Sequence, residues 1–135
     1  MVEAKIKELS EEFLNDTTWD SINIEKAVIS HSFTVSKWIN KWMGFKRILD
    51  KVQKEFDEKW QARYLYYRMD FDIQLKLDEI KLLIERDTEL AELKEKRQNV
   101  ISIIEYIEKA LKNLEGQRWD MKNAIELMKF KAGMI

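Results

Sequence analysis

Several residue types are missing or scarce in this chain, which has no cysteine, no proline and only three glycines. Without cysteine there can be neither a disulfide framework nor a thiolate metal site, and the composition fits a reducing compartment. The scarcity of helix breakers, together with frequent Leu, Ile, Lys and Glu, favours long helices. Because 45% of the residues are hydrophobic, the chain is too apolar to be disordered. We therefore expect a folded, mainly α-helical protein.

The sequence also lacks the motifs of several functional classes. It contains no GxxxxGK[ST] phosphate-binding loop, and its single histidine, His31, has no partners for a metal site. Ser30 and Ser32 flank His31, but neighbouring side chains do not converge on a helix, so they do not form a nucleophile site. The first residues alternate charge too densely for a signal peptide, and no apolar run approaches the roughly 20 residues of a membrane span. We expect a cytoplasmic protein that is not an enzyme, has no metal or other cofactor and does not contact a membrane.

The spacing of apolar residues predicts a single domain over residues 1–135. Its predicted segments are a short acidic helix at 1–14, a long basic and aromatic helix at 21–67, a small β-hairpin at about 71–84 and a long heptad helix at 88–131. Each long helix would extend roughly 65 to 70 Å, whereas a compact chain of this length spans only about 35 to 40 Å. We therefore expect an elongated hairpin of long helices.

The predicted β-hairpin is based on a change of hydrophobic period after the second helix. Apolar residues alternate there with polar ones, in the order Phe71, Ile73, Leu75 and Leu77. The polar pair Asp78 and Glu79 then precedes an apolar run that extends to Ile84. Alternation with a period of two is typical of a half-buried strand, and the polar pair would form the turn.

The second helix carries an apolar seam with alternating spacings of three and four residues, formed by Val35, Trp38, Trp42, Phe45, Leu49, Val52 and Phe56. We expect the two tryptophans on this seam to pack in a core or an interface. The same spacing continues to Lys59 and Arg63, which would make the end of the stripe cationic. Alternatively, the seam slips to Trp60, Tyr64 and Tyr67.

Positive charge is concentrated between Ser36 and Arg68, where nine Lys and Arg residues face four acids. Bases stack on aromatic rings and phosphates pair with cations, so this mixture is typical of a sequence-tolerant binder of single-stranded nucleic acid. The candidate binding residues are Lys37, Lys41, Lys59, Arg63, Tyr66, Tyr67 and Arg68. The alternative is a coiled-coil adaptor or structural phage protein whose charged residues are a solvated face that never contacts nucleic acid.

The last long helix carries a heptad seam that we assign to self-association. The candidate oligomerisation residues are Ile104, Ile107, Leu111, Leu114, Met121, Ile125 and Met128. A helical hairpin exposes more apolar surface than one partner helix can cover, and five tryptophans add to that surplus. We therefore expect a homo-oligomer.

Two hexapeptides separated by 20 residues carry a family resemblance. They are Ser36-Lys37-Trp38-Ile39-Asn40-Lys41 and Ala62-Arg63-Tyr64-Leu65-Tyr66-Tyr67. Their sequences and spacing resemble the signature of UvsY, the recombination mediator family of T-even-type bacteriophages. The stretch from Phe71 to Asp87 and the ending Met128 to Gly133 are similar to family members more loosely, so the resemblance covers about residues 16 to 133.

This resemblance implies a non-enzymatic function in recombination, in the cytoplasm of an infected bacterial host. Family members bind single-stranded DNA as ring-like oligomers, here expected to contain about six or seven copies. They contact the phage single-strand-binding protein and the phage RecA-like recombinase, and help the second replace the first. In the family, the arginine that matches Arg63 and a lysine two residues earlier are linked to strand binding. The lysine position is Gln61 here, and we expect Lys59, one turn before Arg63, to restore the charge.

Overall fold

The computed structural model describes residues 2–20 and 22–133, and over this part of the chain it contains four α-helices. They are α1 (Val2–Thr17), α2 (Ile24–Leu65), α3 (Leu77–Glu85) and α4 (Thr88–Lys131). α2 passes directly into a π-helical turn, Tyr66–Asp70. The start predicted for the second helix, residue 21, lies outside the described residues. Within them, no helix is both long and apolar enough to cross a bilayer.

The predicted β-hairpin at 71–84 is wrong, because most of this stretch is helical. The backbone is extended at Phe71 (φ −76°, ψ 142°) and at Lys76 (φ −78°, ψ 158°), and α3 begins at the next residue. The Glu79 carboxylate accepts a hydrogen bond from the Lys76 backbone N–H at 3.1 Å, which satisfies a donor at the start of the helix. The four-residue spacing of Ile80 and Ile84, both buried, then places them on one face of α3.

The chain divides into two compact units. The first unit comprises Met1–Gly44 and Ile103–Ile135, and the second comprises Phe45–Ser102. Both long helices contribute to both units, since α2 continues from Gly44 into Phe45 and α4 from Ser102 into Ile103. The expectation of a single domain stays a prediction.

The core of the first unit is built from α1, α2 and α4. Its most deeply buried side chains are Leu9 of α1, Trp38 of α2, and Ile107 and Leu114 of α4. The Phe13 ring meets the Trp38 ring edge-on, with centroids 5.1 Å apart and an interplanar angle of 89°. Trp38 therefore packs inside the unit, as expected for a tryptophan on the apolar seam.

A short turn connects α1 to α2 in the first unit. The Asp20 carboxylate accepts hydrogen bonds from the backbone N–H groups of Ile22 (2.9 Å) and Asn23 (3.0 Å). The Asp20 backbone N–H in turn donates to the Asn23 side-chain oxygen at 2.6 Å. These reciprocal hydrogen bonds stabilise the turn immediately before α2.

The core of the second unit forms around Ile80, Ile84 and Leu90. The half-buried residues that pack against this cluster are Phe56, Trp60, Tyr64, Tyr67 and Leu75. The seam of α2 thus slips from Phe56 to Trp60, Tyr64 and Tyr67, which was the alternative to a cationic stripe. Large rings bury more apolar surface than Lys59 and Arg63 would in the same place, so the slip is favoured.

Candidate nucleic-acid interface

The predicted binding residues fall into both units. Lys37 and Lys41 lie on α2 in the first unit, whereas Lys59 and Arg63 lie on α2 in the second. Tyr66, Tyr67 and Arg68 form most of the π-helical turn that ends the long helix, also in the second unit. π-Helical turns within helices are frequent at functional sites.

Lys59 and Arg63 contact two carboxylates at the start of α4. The Arg63 Nε lies 2.6 Å from Oδ2 of Asp87, and its Nη2 lies 3.5 Å from Oε2 of Glu89. The Lys59 Nζ lies 2.9 Å from the same Glu89 oxygen. We call Lys59, Arg63, Asp87 and Glu89 the Arg63 cluster. Its two cations, one turn apart on α2, are balanced by its two anions.

Hydrogen bonding in the Arg63 cluster favours the charged form of every member. The bond to Asp87 raises the pKa of the Arg63 guanidinium, and the bond to Glu89 raises the pKa of Lys59. The bond from Lys59 lowers the pKa of Glu89. Partial burial acts to raise the pKa of Asp87, but hydrogen bonds from the Leu90 backbone N–H and the Arg63 side chain outweigh it and lower that pKa. At neutral pH the cluster is therefore fully ionised.

Arg68 differs from the other predicted cations because no carboxylate within the described residues pairs with it. Its Nη1 donates to the Tyr64 hydroxyl at 2.7 Å, and its guanidinium lies 5.9 Å from the centroid of the same ring. Stacking over a ring holds the guanidinium in place without neutralising its charge. Arg68 is exposed, so this positive charge is available to a phosphate.

Three aromatic rings meet at the end of α2. Tyr66 lies 5.2 Å from Tyr67 and 6.1 Å from Phe71, and Tyr67 lies 5.4 Å from Phe71, measured between ring centroids. Tyr67 also packs against the core of the second unit, whereas Tyr66 is 47% exposed. Tyr66 is therefore the more accessible of these two rings. Phe71 was missed as a candidate because its alternation with polar residues assigned it to a strand.

Lys37 and Lys41 contact the carboxylates of α1. The Lys37 Nζ lies 2.7 Å from Asp16 and 2.9 Å from Glu12, and the Lys41 Nζ lies 3.1 Å from Glu12. We call Glu12, Asp16, Lys37 and Lys41 the Lys37 cluster. Its Asp16 oxygen also accepts a hydrogen bond from the indole N–H of the buried Trp38 at 3.0 Å. These ion pairs connect α1 to α2.

The predicted oligomerisation residues are mostly internal to the chain. Ile104, Ile107, Leu114 and Met121 are buried, while Leu111 and Ile125 are half-buried. Only Met128 is exposed, at 42%. The heptad seam thus packs largely within the chain itself, and its role in self-association stays a prediction.

Comparison with known proteins identifies the relatives of this chain. The sequence profile of one family, described as "Recombination, repair and ssDNA binding protein UvsY", matches residues 12–134. No curated protein matches the chain.

Crystal structures of the bacteriophage T4 recombination mediator protein UvsY share the fold. The lattice type IV structure has a TM-score of 0.83 at 19% identity, over 93% of this chain and 98% of that chain. Lattice type II gives 0.81 at 20% identity, over 93% and 96%, and lattice type I gives 0.80 at 20%, over 92% and 98%. At these identities the likeness establishes the fold.

Fold and family match together define a helical protein of a recombination, repair and single-stranded-DNA-binding family. The family match extends over nearly the whole chain, including both hexapeptides. The chain belongs to the UvsY family. The resemblance noted in the two hexapeptides is therefore confirmed, and with it the general function predicted from them.

Proposed function

We infer that this chain binds single-stranded DNA at the end of α2. As a homo-oligomer, it promotes loading of a phage RecA-like recombinase onto strands coated by single-strand-binding protein. One observation supports this inference: the same π-helical turn of a UvsY-family chain carries both an exposed ring, Tyr66, and an unneutralised cation, Arg68. The ring would stack a base and the guanidinium would pair with a phosphate.

Arg63 and Lys59 extend this surface by about one and two turns back along α2. Both keep their charge at neutral pH, and their side chains are 40% and 42% exposed. They are therefore accessible to a phosphate once their ion pairs with Asp87 and Glu89 open. Lys59 supports the proposed compensation for Gln61, because it lies beside Arg63 and contacts the same Glu89 oxygen. Lys37 and Lys41 are weaker candidates, since the Lys37 cluster surrounds a buried tryptophan.

Self-association would multiply a weak site. A base stacked on one tyrosine contributes only about 1 to 3 kcal/mol, so a single copy would hold a strand poorly. A ring of about six or seven copies would present that many sites to one strand and raise its effective concentration. Exposed apolar side chains at the start of α2 and the end of α4 would supply contacts between copies: Ile29, Phe33, Trp119, Leu127 and Phe130. Light scattering should then give a mass several times that of one chain; a monomer would contradict this step.

Handover to the recombinase would follow from strand binding. A strand held on the oligomer would be partly freed from the single-strand-binding protein, and the recombinase would meet an ordered strand on which nucleation is easier. We place this activity in the cytoplasm of the bacterial host, and we assign the chain no catalytic step.

Salt-dependent binding to a labelled oligothymidylate tests the proposed site. Arg68→Ala should weaken binding and reduce the slope of log K against log salt by roughly 0.7 for each phosphate that the protein no longer neutralises. Arg63→Ala should act in the same direction. Lys26→Ala is the matched control, because it removes one exposed charge from α2 in the first unit, outside the candidate residues, and should leave the slope unchanged. If wild-type protein ignores the oligonucleotide in dilute buffer, the coiled-coil adaptor becomes the better account.

A further inference from the structure

We propose that Asp87 and Glu89 compete with DNA for Arg63 and Lys59. They occupy these two cations when no strand is bound, and they speed the release of a bound strand. This proposal rests on the proposed function, since it concerns regulation of the same site. A strand phosphate and a carboxylate both accept hydrogen bonds from a guanidinium or an ammonium group, so they compete for the same donors.

The contacts of the Arg63 cluster leave its cations neutralised. Arg63 reaches both carboxylates, through Nε to Asp87 at 2.6 Å and through Nη2 to Glu89 at 3.5 Å. Lys59 reaches Glu89 at 2.9 Å. Two positive and two negative charges therefore cancel locally, and an approaching phosphate meets almost no net attraction there until an ion pair opens.

These ion pairs can open without unfolding the helices. Lys59, Arg63 and Glu89 have side chains that are 42%, 40% and 55% exposed, so water and salt screen their attraction. Lysine and arginine side chains are long and flexible, and each can turn from a carboxylate to a phosphate while its backbone stays on α2. The exchange therefore requires side-chain movement only.

Asp87 is the fixed member of the cluster. Its side chain is only 13% exposed, and its Oδ1 accepts a hydrogen bond from the Leu90 backbone N–H at 3.1 Å, which caps α4. A negative charge at a helix N-terminus is also favoured by the helix dipole. Asp87 thus stays in place whether or not Arg63 contacts it. When a bound strand loosens, the carboxylate is there to take Arg63 back.

Such competition suits a protein that hands its strand to another. Each phosphate contact at Arg63 or Lys59 would be weakened by the ion pair that it displaces. Arg68 and Tyr66 have no carboxylate partner among the described residues, so they would hold the strand without this penalty. The strand would remain bound through the tyrosine end of the site and exchange easily at the Arg63 end. The competitor lowers affinity and, because it is tethered, raises the rate of release.

The test compares two double variants that remove the same number of negative charges from α4. Asp87→Asn with Glu89→Gln should raise oligothymidylate affinity by about two- to tenfold, lower the dissociation rate and steepen the salt slope. Asparagine caps helices as well as aspartate does, so α4 should keep its start. Glu92→Gln with Glu95→Gln is the control, since both glutamates are exposed and neither forms an ion pair within the described residues. It should change affinity much less.

Two further measurements separate failure of this proposal from failure of the proposed site. Glu89→Gln alone leaves the Asp87 cap intact and should give a smaller gain in the same direction. In a background of Lys59→Ala with Arg63→Ala, removing the acids should give no gain, as a thermodynamic cycle requires. The competitor is overturned if affinity stays unchanged, or rises equally in the control, while Arg63→Ala still weakens binding. If Arg63→Ala and Arg68→Ala both have no effect, the strand-binding site itself is wrong.

Discussion

The Lys37 cluster and the Arg63 cluster have the same charges but different surroundings. Each pairs two cations of α2 with two carboxylates from another helix, at N···O distances between 2.6 and 3.5 Å. In the Lys37 cluster, Asp16 is also bonded to the buried indole of Trp38. Arg63, by contrast, lies just before the π-helical turn that carries Tyr66 and Tyr67, and Tyr66 is 47% exposed.

Ion pairing alone does not decide whether a basic residue is available to a ligand. Releasing Lys37 would leave Asp16 bonded to the Trp38 indole. Releasing Arg63 leaves Asp87 bonded to the backbone of α4. The surroundings separate the clusters instead, because Lys41 is only 27% exposed and lies beside the buried Trp38, whereas Arg63 lies within two turns of the exposed Tyr66 and Arg68. We therefore propose a structural role for the Lys37 cluster and a binding role for the Arg63 cluster.

The largest expected effect comes from the centre of the Lys37 cluster. Trp38 has no exposed surface, and Trp38→Ala should lower the free energy of unfolding by about 3 to 5 kcal/mol because it leaves a cavity and removes the donor to Asp16. Urea unfolding followed by circular dichroism measures this. Trp60→Ala, at a half-buried ring of the second unit, should cost less. Equal losses of stability for the two variants would mean that the aromatic packing in the second unit is as tight as that around Trp38.

The next effect concerns strand affinity at the other cluster. Tyr66→Ala should weaken oligothymidylate binding by about 1 to 3 kcal/mol, the value of one stacked base, with little change in salt slope because no charge is removed. Tyr66→Phe keeps the ring and should bind nearly as wild type. Fluorescence anisotropy over a salt series gives both quantities. A decrease in slope as large as that of Arg68→Ala would mean that Tyr66 acts by positioning Arg68.

Much of the helical architecture could be predicted from spacing, but the segment after α2 could not. Phe71, Ile73 and Leu75 alternate with polar residues, yet within the described residues they form no strand and pair with none. Beyond Leu77 the spacing of Ile80 and Ile84 is helical, and acids in the first turn favour a helix start. The alternation suggested strands more strongly than these signals suggested a helix, so the hairpin prediction was wrong.

The candidate site was only half visible in the sequence. Arg63 shares one hexapeptide with three tyrosines, and Lys59 and Arg68 lie close to it in the sequence, so their grouping could be predicted. Their partners could not, because the contacts of Arg63 with Asp87 and of Lys59 with Glu89 join residues 24 and 30 positions apart. Which acid meets which base depends on how α4 returns along α2 in the second unit, and charge patterning alone does not specify that.

The smallest expected effect is on the pH dependence of stability. Hydrogen bonding from Lys37 holds the pKa of Glu12 below its ordinary value of 4.5, and hydrogen bonding from Lys59 does the same for Glu89. The unfolded chain therefore binds more protons than the folded one as pH falls below about 4.5. The stabilisation from each pair is complete above that pH and is lost as the pH drops through the lowered pKa of the folded state.

The two clusters should contribute unequally to this effect. Each of these glutamates contacts two cations, but the Glu12 side chain is 30% exposed, whereas Glu89 is 55% exposed and more strongly screened by solvent. Glu12→Gln should therefore flatten the fall in stability between about pH 5 and pH 3 more than Glu89→Gln does. Urea midpoints measured across that range give the comparison. A larger flattening for Glu89→Gln would mean that the Arg63 cluster is the more strongly held of the two, and its carboxylates would then be poor candidates for releasable competitors of DNA.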